Sequence, residues 1–257
     1  MEHDDNSRRD FLKNAALLVG SAFALSGCAG STSTANDQNS DGNQGGKMQD
    51  KEKKGSEEKE VTAAEDLMRE HGILRRALIV YSESAIRLRK NSADVPPAAL
   101  QKTAKLFRSF GEDYHEKQLE ETFIFPVLEG QGGEIGSYPD ILIAQHNRGR
   151  EITDYITAVT NSVKIGTSAN ALADTLEAFV RMYETHAARE DTIVFPAWKK
   201  AISGSQYKEM TEKFEEIEHG LFGEDGFDDA VKQIVDVEAS LGLADISQFT
   251  APLPPAR

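Results

Sequence analysis

Between residues 61 and 201 the apolar positions recur every three or four residues, the period of an amphipathic helix, in four stretches of about 61–90, 98–128, 139–163 and 168–201. The clearest stripe is in the fourth, where Leu172, Leu176, Phe179, Tyr183 and Ile193 fall on one face. Breaks come where the backbone chemistry demands them, at Val95-Pro96-Pro97 and in a glycine-rich stretch ending at Gly136. Two shorter helical patterns follow, about 206–219 and 228–241, expected on the outside. Four long amphipathic helices joined by short loops can bury their stripes only against one another, so the pattern predicts an all-α up-down four-helix bundle with additional C-terminal helices.

Upstream the pattern changes. From residue 29 to about 60 there is almost nothing apolar, only Ser, Thr, Asn, Gln, Gly and then Lys and Glu, too little to bury a core. Such a stretch reads as a flexible tether. Ahead of it, Ser7-Arg8-Arg9-Asp10-Phe11-Leu12-Lys13 has the twin-arginine form, and the apolar run 15–25 is too short for a permanent membrane helix. The run ends in Leu25-Ser26-Gly27-Cys28, which resembles the lipobox of bacterial lipoproteins. Cys28 is the single cysteine and cannot close an internal disulfide, so it is the expected lipid attachment point. The expected organisation is a signal peptide over 1–27, a lipidated cysteine and tether over 28–60, a bundle over 61–201 and a helical extension over 202–257. The expected location is a twin-arginine exported, membrane-anchored lipoprotein facing the periplasm or cell exterior.

A formal charge of −14 opposes nucleic acid and anionic membrane surfaces as partners. There is no glycine-rich phosphate loop, nucleophile elbow or CxxC, and the acidic 223–229 stretch lacks the spacing of an EF-hand.

Four of the six histidines fall one per long helix: His71, His115, His146 and His186. Each lies on its helix's apolar stripe, so all four point toward one interior. Two of the segments read as one motif written twice. Tyr114-His115 leads to Glu120-Glu121 and Phe125-Pro126, and Tyr183 with His186 leads to Glu190-Asp191 and Phe195-Pro196. His186 and Glu190 are four apart, one turn along the same face. A buried carboxylate needs a partner, and four core imidazoles would each need a buried acceptor, which favours a metal site over four unrelated core histidines. With no cysteine among the helices, imidazole and carboxylate donors suit iron, manganese or zinc.

The order His, His…Glu-Glu…Phe-Pro, His, His…Glu-Asp…Phe-Pro over about 61–200 resembles the hemerythrin or HHE cation-binding domain family. The Glu218-His219-Gly220 and 223–227 segments also resemble the end of a bacterial subgroup. The resemblance implies a hemerythrin-like bundle holding two non-haem irons, with manganese or zinc less favoured. It makes His71, His115, His146 and His186 terminal ligands and Glu120 and Glu190 bridges. It implies a small diatomic or peroxide ligand such as dioxygen or nitric oxide. Oxygen-carrying members have a fifth histidine four positions after the one matching His146; Arg150 stands there, so one iron has an open place or a different ligand, a departure from the reversible oxygen carriers.

Helix two carries an irregularity. Glu120 follows His115 by five residues, a rotation of about 140° in a regular α-helix. A single π-bulge would bring the two together. Aligning Tyr114 with Tyr183 instead makes Glu121 the alternative bridge, with Glu116 a candidate behind the ligands. Arg75 and Arg150 are expected to pair with surface acids. Phe125, Phe195 and Trp198 are expected to cap the core, and Tyr114 and Tyr183 to pack in it or to serve the ligands as hydrogen-bond or redox partners. Binding is favoured over catalysis, because no flavin, haem or nicotinamide signature is present and turnover would need an external electron donor. A di-iron oxidoreductase acting on peroxide, nitric oxide or iron, and an iron-holding structural lipoprotein, are the alternatives.

Overall fold

The computed structural model describes residues 61–223 and 226–255, so the expected signal peptide, Cys28 and the expected tether lie outside the described residues. Helix α1 is Ala63–Lys90. Helix α2 opens as α-helix Pro97–Leu106, continues as π-helix Phe107–Ile124 and closes as α-helix Phe125–Glu129. Helix α3 is Tyr138–Thr160. Helix α4 is α-helical over Ala169–Arg189, π-helical over Glu190–Val194 and α-helical over Phe195–Ala201. The extension supplies α5, Gly204–Phe222, and α6, Gly226–Ser240. No strand occurs among the described residues.

Cross-helix bonds give the topology. Arg89 reaches Asp174 and Glu177 near the start of α4 while His71 reaches Asp191 near its end, so α1 and α4 run antiparallel. Gln101 bonds Thr157 and Arg108 bonds Asp154, which sets α2 against α3 in the same sense. This is the expected up-down bundle. Its core is apolar toward the loop ends, with Tyr81, Phe107 and Phe179 in edge-on contact, and polar at the middle.

Both π segments stop just before a Phe-Pro pair. A proline ring would clash with the carbonyl four residues back and has no N–H to offer it. A widened turn relieves both problems, and the N–H of Phe125 and of Phe195 accordingly goes five residues back, to the carbonyls of Glu120 and Glu190. One bulge was expected in α2. The widening there spans Phe107–Ile124, and α4 has a shorter one that was not foreseen.

The extension is tied into the bundle. The N-terminal N–H groups of a helix lack internal acceptors; those of Ala63 and Ala64 donate to Thr211 Oγ1 at 3.1 Å and Tyr207 Oη at 3.0 Å, both from α5. Trp198 stacks on Phe214 with ring centroids 5.9 Å apart, and Phe222 meets Tyr114 edge-on at 5.3 Å. Arg76 holds Glu238 of α6 at 2.8 Å. A Ser203–Gln206 capping box starts α5 two residues before the sequence pattern suggests. No described helix is long and apolar enough to cross a membrane.

Candidate metal centre

The four histidines meet at mid-bundle as two pairs. Nε2 of His71 lies 3.0 Å from Nε2 of His115, and Nε2 of His146 lies 3.1 Å from that of His186. The two inner carboxylates span the pairs. Glu120 sets Oε1 3.4 Å from His115 and Oε2 3.4 Å from His146. From the opposite side Glu190 sets Oε2 3.4 Å from His71 and Oε1 3.0 Å from His186. All six side chains are buried, Glu120 and Glu190 completely, and none of the four carboxylate oxygens has a hydrogen-bond partner.

The widened backbone of α2 makes this possible. A π turn closes on the fifth residue, so Glu120 lies roughly one turn from His115 on the inward face. Glu121, the alternative bridge, is turned outward instead. It accepts from His146 Nδ1 at 2.9 Å and from Arg150 at 2.7 Å. Asp191 does the same for His71, taking Nδ1 at 2.7 Å and a bond from Arg75. These arginines were expected to meet surface acids. Arg75 and Arg150 are bound instead to half-buried carboxylates behind the imidazoles, and Arg150 also reaches the buried Glu116 at 3.2 Å.

The remaining imidazoles are held in the same manner. His115 Nδ1 meets Glu70 at 2.6 Å and His186 Nδ1 meets Gln145 at 2.8 Å. With every Nδ1 engaged by an oxygen acceptor, each Nδ1 carries a proton, so the neutral form of each imidazole, the form that binds a metal, turns its Nε2 lone pair inward. Sequence reasoning missed Glu70 and Gln145, although each is the residue just before a ligand candidate, where an acceptor for a neighbouring helix could have been sought.

One aromatic expectation changes, and of the two roles open to the tyrosines the structure shows hydrogen bonding as well as packing. Phe195 lies parallel to His71 with centroids 5.5 Å apart and Phe125 to His146 at 5.6 Å, so these rings pack on the imidazoles and do more than cap the core. Tyr114 and Tyr183 are buried but not merely packed. Their hydroxyls donate to Glu70 and Glu116, each at 2.8 Å.

Electrostatically the cluster calls for positive charge. Burial pulls the imidazoles toward the neutral form, but the surrounding carboxylates outweigh it, raising His71, lifting His115 well above its ordinary value and His146 to about 9. Burial and the facing Glu190 push Glu120 up, so the buried carboxylates repel one another unless a cation lies among them. The inward atoms of Glu120, His146, His186 and Glu190, and those of His71, His115 and Glu120, are grouped closely enough to hold a metal ion. The donor set and its unpartnered oxygens fit metal binding.

The Hemerythrin HHE cation binding domain profile matches residues 62–198. The chain belongs to this family. Uncharacterized proteins of Mycobacterium bovis and of two strains of Mycobacterium tuberculosis are each 41% identical over 245 residues, covering 95% of this chain and 90% of the relative. No solved structure matches the chain. In this hemerythrin-type domain the two halves of the motif face each other across the site. The doubled pattern of His, acidic pair and Phe-Pro thus has a spatial counterpart.

Proposed function

We propose that His71, His115, His146 and His186, with Glu120 and Glu190 as bridges, hold two non-haem iron ions, and that the pair binds a small diatomic or peroxide ligand. The observation that carries the reading is the set of four buried, unpartnered carboxylate oxygens among four imidazole Nε2 atoms. Buried carboxylates of this density need positive charge beside them, and two divalent ions would meet all four oxygens at once while leaving the imidazoles neutral as donors. Iron is preferred to manganese or zinc on the imidazole and carboxylate donors and on the family. A reduced iron pair would supply electrons and a Lewis-acidic docking place for dioxygen, nitric oxide or peroxide.

The chain's own part is to hold, orient and exclude. Asp191, Glu70, Glu121 and Gln145 fix the imidazole tautomers from behind. Leu74 and Leu78 line a cavity of about 10 Å³ beside His71, His115 and Glu190, room on the order of one water molecule, which suits a ligand of two or three atoms. Arg150, where oxygen carriers of the family have a histidine, has its guanidinium bound to Glu116 and Glu121. It stays charged at any ordinary pH and supplies no donor to a metal, which leaves a place for an external ligand.

The proposal extends to location: export by the twin-arginine route and a lipid anchor at Cys28, with the domain on the periplasmic or outer face. This part rests on the sequence motifs alone. Turnover as an oxidoreductase would require an outside electron donor, so binding is the function put forward.

Metal analysis of the purified protein, followed by visible spectra with dioxygen, nitric oxide and peroxide, tests the reading. Two irons per chain and a ligand-dependent spectrum are expected. A well-folded preparation that takes up one zinc, or no metal, overturns it.

A further inference from the structure

The pseudo-twofold relation between the halves of the centre is broken at one pair of positions. His71 and His146 are equivalents, and each gives its Nδ1 proton to a carboxylate clamped by an arginine: Asp191 with Arg75, and Glu121 with Arg150. His115 and His186 are also equivalents. Their acceptors are the residues preceding His71 and His146, and these differ: Glu70 is a carboxylate and Gln145 a neutral amide. Glu70 is 1% exposed, so little water screens its charge.

An imidazole that donates to a carboxylate makes a stronger, charge-assisted hydrogen bond, and its opposite nitrogen becomes the better electron donor. Both imidazoles of the His71–His115 pair have that advantage. In the His146–His186 pair only His146 does. Glu116 adds a carboxylate on the second side, 3.9 Å from His146 Nδ1, but it accepts from Tyr183 at 2.8 Å and from Arg150 at 3.2 Å and takes no proton from an imidazole. Glu120 and Glu190 each offer one oxygen to either pair, at 3.4 Å except for the 3.0 Å from Glu190 to His186, so the inner carboxylates supply the same kind and number of donors to both.

We infer that the two metal positions are unequal: the one at His71 and His115 fills first and holds its ion more tightly, because Glu70 stands where its counterpart is Gln145. The inference rests on the dinuclear reading above and deepens it. One equivalent of metal therefore gives a singly occupied centre with the His146–His186 position still open.

The test is a calorimetric titration of metal-free protein with cobalt(II), followed in parallel by visible absorption. Two steps are expected, separated about tenfold or more in affinity, the usual range for loss of an outer partner being roughly 10–100-fold. Gln145→Glu should draw the second step toward the first. Glu70→Gln, of nearly the same shape, should weaken the first step about tenfold or more and leave the second within about threefold. Thermal melts of the metal-free proteins monitor folding; should Glu70→Gln not fold, Gln145→Glu at its half-buried position decides alone. Two equal steps in the native protein, or a native pattern unchanged by Gln145→Glu, overturn the inference while leaving a dinuclear centre intact. Uptake of one cobalt or none by the folded native protein overturns the dinuclear reading and the inference together.

Discussion

Tyr183 reaches Glu116 by passing directly over the Cα of Gly149. A Cβ built on Gly149 would lie 2.8 Å from Tyr183 Cζ and closer still to the hydroxyl. The glycine in mid-α3 thus opens the channel through which a tyrosine of α4 bonds a glutamate of α2. An alanine there would favour the helix by about 1 kcal/mol in isolation, yet the overlap it creates outweighs that gain.

Gly149→Ala should therefore lower stability by about 2 kcal/mol, roughly 6 °C in Tm for a domain of this size. Tyr183→Phe combined with it should recover only part of the loss, since Cζ and Cε2 of the ring also collide. Thermal melts of the two single variants and the double variant measure this, and an unchanged Tm in Gly149→Ala contradicts it.

Glu120 and Glu121 should respond differently to the same change. At a thousandfold excess over Kd a bound metal adds about 4 kcal/mol of stability. Glu120→Gln removes a charge from between the imidazole pairs, so most of that gain should vanish, while the metal-free variant melts no lower than native. Glu121→Gln removes only the acceptor behind His146 and should keep both metals with affinity reduced about 10–100-fold. Chelator-treated and iron-loaded melts, with metal analysis, check both; full iron content in Glu120→Gln would transfer the bridging role elsewhere.

Glu112 gives a pH dependence of its own. Burial lifts its carboxyl from 4.5 to about 7, only partly offset by Thr153 and Arg108. The folded state therefore binds more protons than the unfolded state between these values, and stability falls as pH rises through them. The contribution is fully present below 4.5 and lost by passage through about 7, a change of about 3 kcal/mol from this group. Glu112→Gln should match the native protein near pH 4.5 and exceed it above pH 7, as read by denaturant unfolding across that range.

Cys28→Ala should release the protein from the membrane fraction without altering the spectrum of its metal centre. Replacing Arg8 and Arg9 by Lys should hold it in the cytoplasm. Fractionation with lipid analysis decides; a native protein without lipid, or a variant still membrane-bound, contradicts the anchor.

Residue order alone determined the four amphipathic helices, the presence of an imidazole on each inward stripe, and the repeated His, acidic pair and Phe-Pro pattern. Those features depend on local periodicity, which a single helix displays without its neighbours. The choice between Glu120 and Glu121 was not legible in the same way. Adjacent residues point about 100° apart, and which one faces inward depends on how far the backbone of α2 widens. The five-residue step from His115 to Glu120 pointed to a single bulge; the run over Phe107–Ile124 is a property of the packed helix. Glu70, Gln145, Asp191 and the paired arginines were harder still, because their partners lie on other helices. A stripe tells which face turns inward but not the axial register between helices. Only the tertiary structure, by setting that register, decided that Glu70 meets His115 where its counterpart Gln145 meets His186.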